Sequence, residues 1–300
     1  MATRIKANHS LRWSIRRIGR GLLRECLHQL TVVEPAGRDE AVHSARKSLK
    51  KLRSLVRLIR PVIRNSEYRQ EESCFREAGH PLTAVRDAAI ILECLDSLTA
   101  QREASDEERQ RLGRLRIQLA GRLAAAHDRL REDGVVDTIR RDLEQAVGRV
   151  KDWSRVPDRW RSIGEGLERA FQQANEAREH ASQLPSLESM HEWRKPTRYL
   201  HYQLRFVQFL DPPRLKLLAD EANRINNLLG TARDHALLKQ TLQESTELDG
   251  SEPFRERLLR LLDDRSEAAV GEAFRLGAIF DQVDLDERMR AFKSNWKKVR

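Results

Sequence analysis

Two stretches of the chain, one from His43 to Arg64 and one from His191 to Val207, each carry a basic stripe beside an apolar stripe, and that pairing restricts the fold to packed helices. In the first, His43, Arg46, Lys50, Arg53, Arg57, Arg60 and Arg64 recur in alternating steps of three and four. Val42, Ala45, Leu49, Leu52, Val56, Ile59 and Ile63 form the same ladder one residue earlier. In the second, His191, Arg194, Arg198, His201 and Arg205 run beside Met190, Trp193, Leu200, Leu204 and Val207. His191 stands 148 residues after His43, so the pattern is duplicated about half a chain apart.

The duplication extends beyond one helix. Ile18-Gly19-Arg20-Gly21-Leu22 matches Ile163-Gly164-Glu165-Gly166-Leu167 at an offset of 145, and Arg86-Asp87 matches Arg233-Asp234 at 147. Three segments in the same order at nearly constant offset predict a unit of about four helices that occurs twice within one domain spanning 1–300. Residues 1–148 form the first repeat and 149–300 the second. The expected fold is all-α: two four-helix bundle units facing each other about a pseudo-twofold axis.

Periodic segments run near 9–31, 41–64, 67–98, 103–148, 157–182, 187–210, 213–246 and 252–278, followed by a basic tail ending KSNWKKVR. None alternates as a strand does. Expected helix ends fall at Glu34-Pro35-Ala36-Gly37, Arg60-Pro61, Leu184-Pro185 with Ser186 as an N-cap, and Asp211-Pro212-Pro213.

Charge narrows the choice of partner. The 300 residues are 34% charged and 39% hydrophobic, with a net charge of +10, which suits amphipathic helices and anionic ligands without choosing among phosphate polymers, nucleic acid and a membrane surface. Cys26, Cys74 and Cys94 are odd in number, lack CxxC spacing, and read as reduced cysteines of a cytoplasmic protein. The opening MATRIKANHS has no signal-peptide run, and no apolar stretch approaches the roughly 20 residues of a membrane helix, so no membrane association is expected.

A charge stripe can be merely a solvated face. Solvated faces mix signs, because opposite charges four apart stabilise a helix by about 0.2–0.5 kcal/mol and like charges cost as much. Residues 41–64 contain no Asp or Glu, so local stability is given up, which favours anion binding. Arginines suit phosphate oxygens better than lysines do, since their N–H groups donate in pairs. His43 and His191 serve either as phosphate donors, with pKa values raised by a bound polyanion, or as packing histidines. The cations around them would repel a divalent ion, so no metal and no cofactor is expected. Asp87 and Asp234 would orient neighbouring cations or form ordinary helix salt bridges.

VHSARKSLKKLRSLVRLI and MHEWRKPTRYLHYQLRF resemble the signature helix of the CHAD domain, the conserved-histidine α-helical domain, and LLGTARDHALL resembles the LG-x-x-RD segment that follows it. The resemblance covers nearly the whole chain. It implies an all-helical protein that binds inorganic polyphosphate through a basic surface between its halves and is found at polyphosphate granules. The matching positions are His43, Arg46, Lys47, Lys50 and Arg57 in the first half, and His191, Arg194, Lys195, Arg198, Tyr199 and Arg205 in the second. Arg86, Asp87, Arg233 and Asp234 come from the helices that follow, while Arg53, Arg60 and His201 complete the ridges. The chain departs from the pattern twice. Thr83 stands where the second copy has Gly230, and Pro196 lies well inside the second signature helix, where it removes a bond to Glu192 and is expected to kink it.

No GxxxxGK loop, HExxH, GxSxG or metal-spaced Cys/His set occurs, nor the ExExK strand of triphosphatases. Glu71-Glu72 and Asp263-Asp264 read as solvated carboxylates. The expectation is a non-enzymatic, cytoplasmic polyphosphate-binding protein. Nucleic-acid binding by the same surface is the alternative, sustained by Trp193, Tyr199 and Tyr202 despite 5% aromatic content. A structural protein coating granules is a third.

Overall fold

Apolar residues at helical spacing become helices throughout the computed structural model, which describes residues 3–31, 38–100, 105–132, 134–151, 153, 156–282 and 284–299. In the first half the helices are α1 (Leu11–Thr31), α2 (Arg38–Ile59, continued by a 3-10 turn at Arg60–Val62), α3 (Asn65–Gly79), α4 (Leu82–Thr99), α5 (Asp106–Glu132) and α6 (Val135–Arg149). The second half holds α7 (Arg161–Gln183), α8 (Leu187–Phe206), α9 (Pro212–Glu244), α10 (Glu252–Gly277) and α11 (Leu285–Val299). No strand occurs among the described residues. The fold class is all-α, as the periodicity predicts.

Three boundaries differ from the sequence expectation. The 67–98 segment breaks into α3 and α4 because Pro81 has no N–H with which to continue the helical hydrogen bonds. Its counterpart α9 runs unbroken for 33 residues. The 103–148 segment breaks at Gly134, whose φ of 62° reverses the chain at no steric cost to a residue without Cβ. The basic tail is itself a helix, α11, which buries Met289, Phe292 and Trp296. Caps appear where Ser186 and Asp211 predict them: the Ser186 hydroxyl accepts from the Ser189 N–H at 3.0 Å and the Asp211 carboxylate from the Arg214 N–H at 3.3 Å. The expected turn at Glu34–Gly37 lies outside the described residues. α8 continues as a helix through Pro196.

The two apolar ladders reach the interior: from Val42 to Ile59 and from Met190 to Val207 every rung named above is buried, and Ile63 packs at the margin. One hydrophobic cluster joins α1, α2, α7 and α8, with contributions from both halves. The other is an outlying four-helix arm in which Leu95, Leu98 and Leu115 of α4 and α5 meet Leu238, Leu242 and Leu258 of α9 and α10. Sequence-matched helices meet across the halves, α2 against α8 and α4 against α9. At the first crossing the Ser54 hydroxyl donates to the Tyr199 carbonyl at 2.9 Å. α7 approaches α2 so closely that a Cβ on Gly166 would run into the Leu58 carbonyl, which explains the second glycine of the repeated Ile-Gly-x-Gly-Leu motif in this half.

Candidate functional site

Burying the apolar ladder of α2 and of α8 turns their basic stripes toward α4 and α9, and the stripes converge there. Lys50 lies at the meeting point, half-buried, in the fields of Arg198, Arg46, Arg194 and Arg86. Among the described residues no carboxylate pairs with it. Burial, then the positive charges of Arg198, Arg46 and Arg194, push its ammonium from the usual 10.5 down to about 7.

The matched arginines Arg46 and Arg194 sit differently. Arg46 Nη1 donates to the Gly79 carbonyl at 2.8 Å and to the Thr83 hydroxyl at 2.6 Å, which ties α2 to the α3–α4 junction. Arg194 lies flat against Gly230, where an added Cβ would come within 2.7 Å of Nη2. Its Nε, like that of Arg46, is buried without a hydrogen-bond partner. Burial pushes Arg194 down to about 10, against the attraction of Asp234, so it remains a cation at neutral pH. Thr83 in place of glycine therefore supplies a ligand for the guanidinium that Gly230 leaves open.

The acids of the two Arg-Asp pairs are not equivalent: Asp87 is hydrogen-bonded to a cation, whereas Asp234 Oδ1 is buried without a hydrogen-bond partner. Asp87 accepts from Arg233 Nη2 at 3.2 Å, an ion pair that crosses the halves. Asp234 lies 3.9 Å from Arg233, and burial raises its carboxyl above the usual range despite Arg194 and Arg233. Arg86 is held by Glu93 at 3.0 Å. Lys50 and five cations around it (Arg46, Arg86, Arg194, Arg198 and Arg233) thus face Asp87 and Asp234. His43 and His191 flank them, each with its pKa lowered by burial, then chiefly by Arg86 for His43 and by Lys195 for His191. His191 Nδ1 is buried without a partner.

The outer ridge is less free than the acid-free sequence suggests. Arg53 and Arg57 both donate to Glu72 of α3, at 2.7 and 2.6 Å. Glu72 is therefore not a solvated carboxylate, and neither is Glu71, which is 3% exposed and accepts from Arg149 at 2.9 Å. Asp263 pairs with Lys239 at 2.7 Å but stays half-exposed, and Asp264 is exposed, as expected of carboxylates on a solvated face. Arg205 pairs with Asp220 at 3.6 Å, and Lys195 with Glu192 at 2.5 Å. His201 Nδ1 donates to the Ala219 carbonyl at 2.7 Å, a packing role between α8 and α9. Tyr199 is buried beneath the guanidinium of Arg57, 4.3 Å from its ring, with Arg198 at 5.6 Å. Arg60 stacks over Tyr68 at 4.6 Å, and Lys47 is exposed. Sequence spacing has no means of finding Glu72 or Asp220, since both reach the ridges from other helices.

The sequence profile of the CHAD domain matches residues 21–243. The chain belongs to the CHAD domain family. The crystal structure of the CHAD domain from the plant Ricinus communis superposes with a TM-score of 0.59 at 17% identity, covering 100% of this chain and 96% of that one, and so shares the CHAD fold. No curated protein matches the sequence. Among the described residues of this CHAD domain no helix is long and apolar enough to cross a membrane, and no group of three or more His, Cys, Asp or Glu side chains is placed to share a metal ion.

Proposed function

We propose that the protein binds inorganic polyphosphate, without turning it over, at the cluster centred on Lys50. The observation that carries this is a half-buried ammonium with no carboxylate, surrounded by Arg46, Arg194 and Arg198. Withdrawing charge from water without a partner costs several kcal/mol, and a phosphate chain threaded between α2 and α8 would supply the missing countercharge. Successive cations on each ridge lie about 10 Å apart every seventh residue, a spacing that a flexible chain of phosphates can follow. Family membership supports the same ligand and, with it, a place in the cytoplasm at polyphosphate granules.

Cations alone stabilise bound phosphate in the ground state as much as in the transition state, which gives affinity without turnover. Phosphoryl transfer needs a set of carboxylates to hold a metal ion beside the transferring group, whereas Asp87 is engaged by Arg233 and Asp234 stands as a single acid beside Arg194 and Arg233. Nucleic acid is the weaker reading at this cluster. Trp193 and Tyr199 are buried in the core and offer a base no face, and Tyr202 is largely covered as well.

The test is displacement of labelled polyphosphate at fixed salt by single-stranded DNA or RNA at equal phosphate concentration. Neither should displace it, and affinity should fall with salt at a log–log slope of about −0.7 per neutralised phosphate, taking single strands as a guide. Efficient displacement by DNA, or salt-independent binding, overturns the proposal.

A further inference from the structure

The central cluster leaves a second basic surface unused. On α1, Arg12, Arg16, Arg20 and Arg24 follow one another at four-residue steps, about 6 Å of rise each, and no acid occurs between Leu11 and Arg24. None of the four forms an ion pair among the described residues, and Arg16 Nε is buried without a partner. The matched positions of α7 are different in kind: Arg161 and Glu165 close a 2.6 Å ion pair there, the mixed-sign arrangement of a solvated face. Like charges repeated every turn cost helix stability, so the row on α1 is the unusual member of the pair.

The row borders a groove of about 730 Å³ lined by Thr3, Ser10, Trp13, Arg16, Arg20 and Arg24. Trp13 is 41% exposed, stacked on His9 at 4.0 Å with the rings 17° from parallel. The Arg17 guanidinium lies 5.2 Å from the same indole and is anchored by donating to the Arg4 carbonyl at 2.6 Å.

We propose that this groove binds single-stranded nucleic acid, with the arginine row tracking the phosphates and the His9–Trp13 stack serving as a base platform. A phosphate track beside an aromatic face is the combination that single strands require, and guanidinium planes add to the stacking surface. Inorganic polyphosphate has no apolar face and no use for the indole. A bilayer would need several apolar side chains to insert, and Trp13 is the one large hydrophobic residue exposed on α1.

Fluorescence anisotropy with labelled homothymidylate and homouridylate of about a dozen nucleotides tests this on the full chain. Trp13→Ala should weaken binding on the order of tenfold, while Trp13→Phe retains most of it. Arg16→Gln with Arg20→Gln should weaken binding and flatten the salt slope by about 0.7 for each phosphate no longer neutralised. All of these variants should keep wild-type polyphosphate affinity, and Lys50→Glu should do the reverse. Oligonucleotide binding insensitive to Trp13→Ala overturns the proposal, and capture by phosphatidylglycerol vesicles that Trp13→Ala abolishes would assign the groove to a membrane surface instead. Equal losses of polyphosphate and oligonucleotide in the arginine variant would make the row an extension of the central cluster, again overturning it.

Discussion

The two halves place the same arginine in opposite situations. In the first, Arg46 is tied to the Gly79 carbonyl and the Thr83 hydroxyl, and it helps hold α2 against the α3–α4 junction. In the second, α9 is unbroken, Gly230 takes the place of Thr83, and Arg194 lies on bare backbone where, among the described residues, nothing accepts from its guanidinium as Gly79 and Thr83 do from Arg46. A duplicated cation thus serves once as a structural tie and once as a group with hydrogen-bonding capacity to spare. The difference follows from two residues, Pro81 and Thr83, neither of them basic.

Charge reversal should separate the two arginines most widely. Arg194→Glu should weaken polyphosphate on the order of a hundredfold, as expected for reversing a desolvated charge at a binding site, while leaving far-UV circular dichroism unchanged. Arg46→Glu should lose binding and stability together, because the two hydrogen bonds that tie α2 to the α3–α4 junction are lost in a half-buried setting. Equal thermal stability of the two variants would erase the distinction between the halves.

A reciprocal swap at positions 83 and 230 should have a smaller effect. Gly230→Thr places a Cβ 2.7 Å from Arg194 Nη2, so the guanidinium must move, and titration should show affinity falling by about tenfold. Thr83→Gly removes one hydrogen bond to Arg46 and a helix-favouring side chain. It should lower stability by about 1–2 kcal/mol with little change in binding. If Thr83→Gly also strengthens binding, the tie at Arg46 restrains a cation that the ligand would otherwise use.

The fold is legible in the sequence because burial of an amphipathic helix is a local property: both apolar ladders and the caps at Ser186 and Asp211 can be read from spacing alone. The site is legible only in part. Its cations sit on α2 and α8 at readable intervals, but whether each is free depends on acids delivered by other helices. Glu72 is shared by Arg53 and Arg57, and Asp220 pairs with Arg205, at sequence separations that periodicity cannot connect. His201 looks like one more rung of the ridge, yet its ring bonds to the Ala219 carbonyl. Lys50 has the opposite fate: among the described residues no acid pairs with it, and its isolation is a property of the packed molecule.

That isolation gives the smallest and most diagnostic expectation, a dependence on pH. In the free protein burial and neighbouring cations hold Lys50 near 7 and keep His43 and His191 below their usual 6.5. A bound polyanion favours the charged form of all three, so binding takes up protons. Affinity should therefore fall as pH rises through about 6 to 8, by a few-fold, and Lys50→Arg should remove the part above 7 because arginine stays charged. Stability carries the same signature with its own sign. The folded pKa of Lys50 is lower than the unfolded 10.5, so the unfolded chain binds the proton more tightly. The charge costs stability fully below about 7, and the cost fades as pH approaches 10.5. Lys50→Met should accordingly raise the melting temperature of the free protein at pH 7, by about 2–4 °C for each kcal/mol recovered, while weakening polyphosphate. The gain should shrink as the buffer is made alkaline. A variant that loses stability at pH 7 would show that Lys50 already has a partner in the free protein and that the cluster is not waiting for an anion.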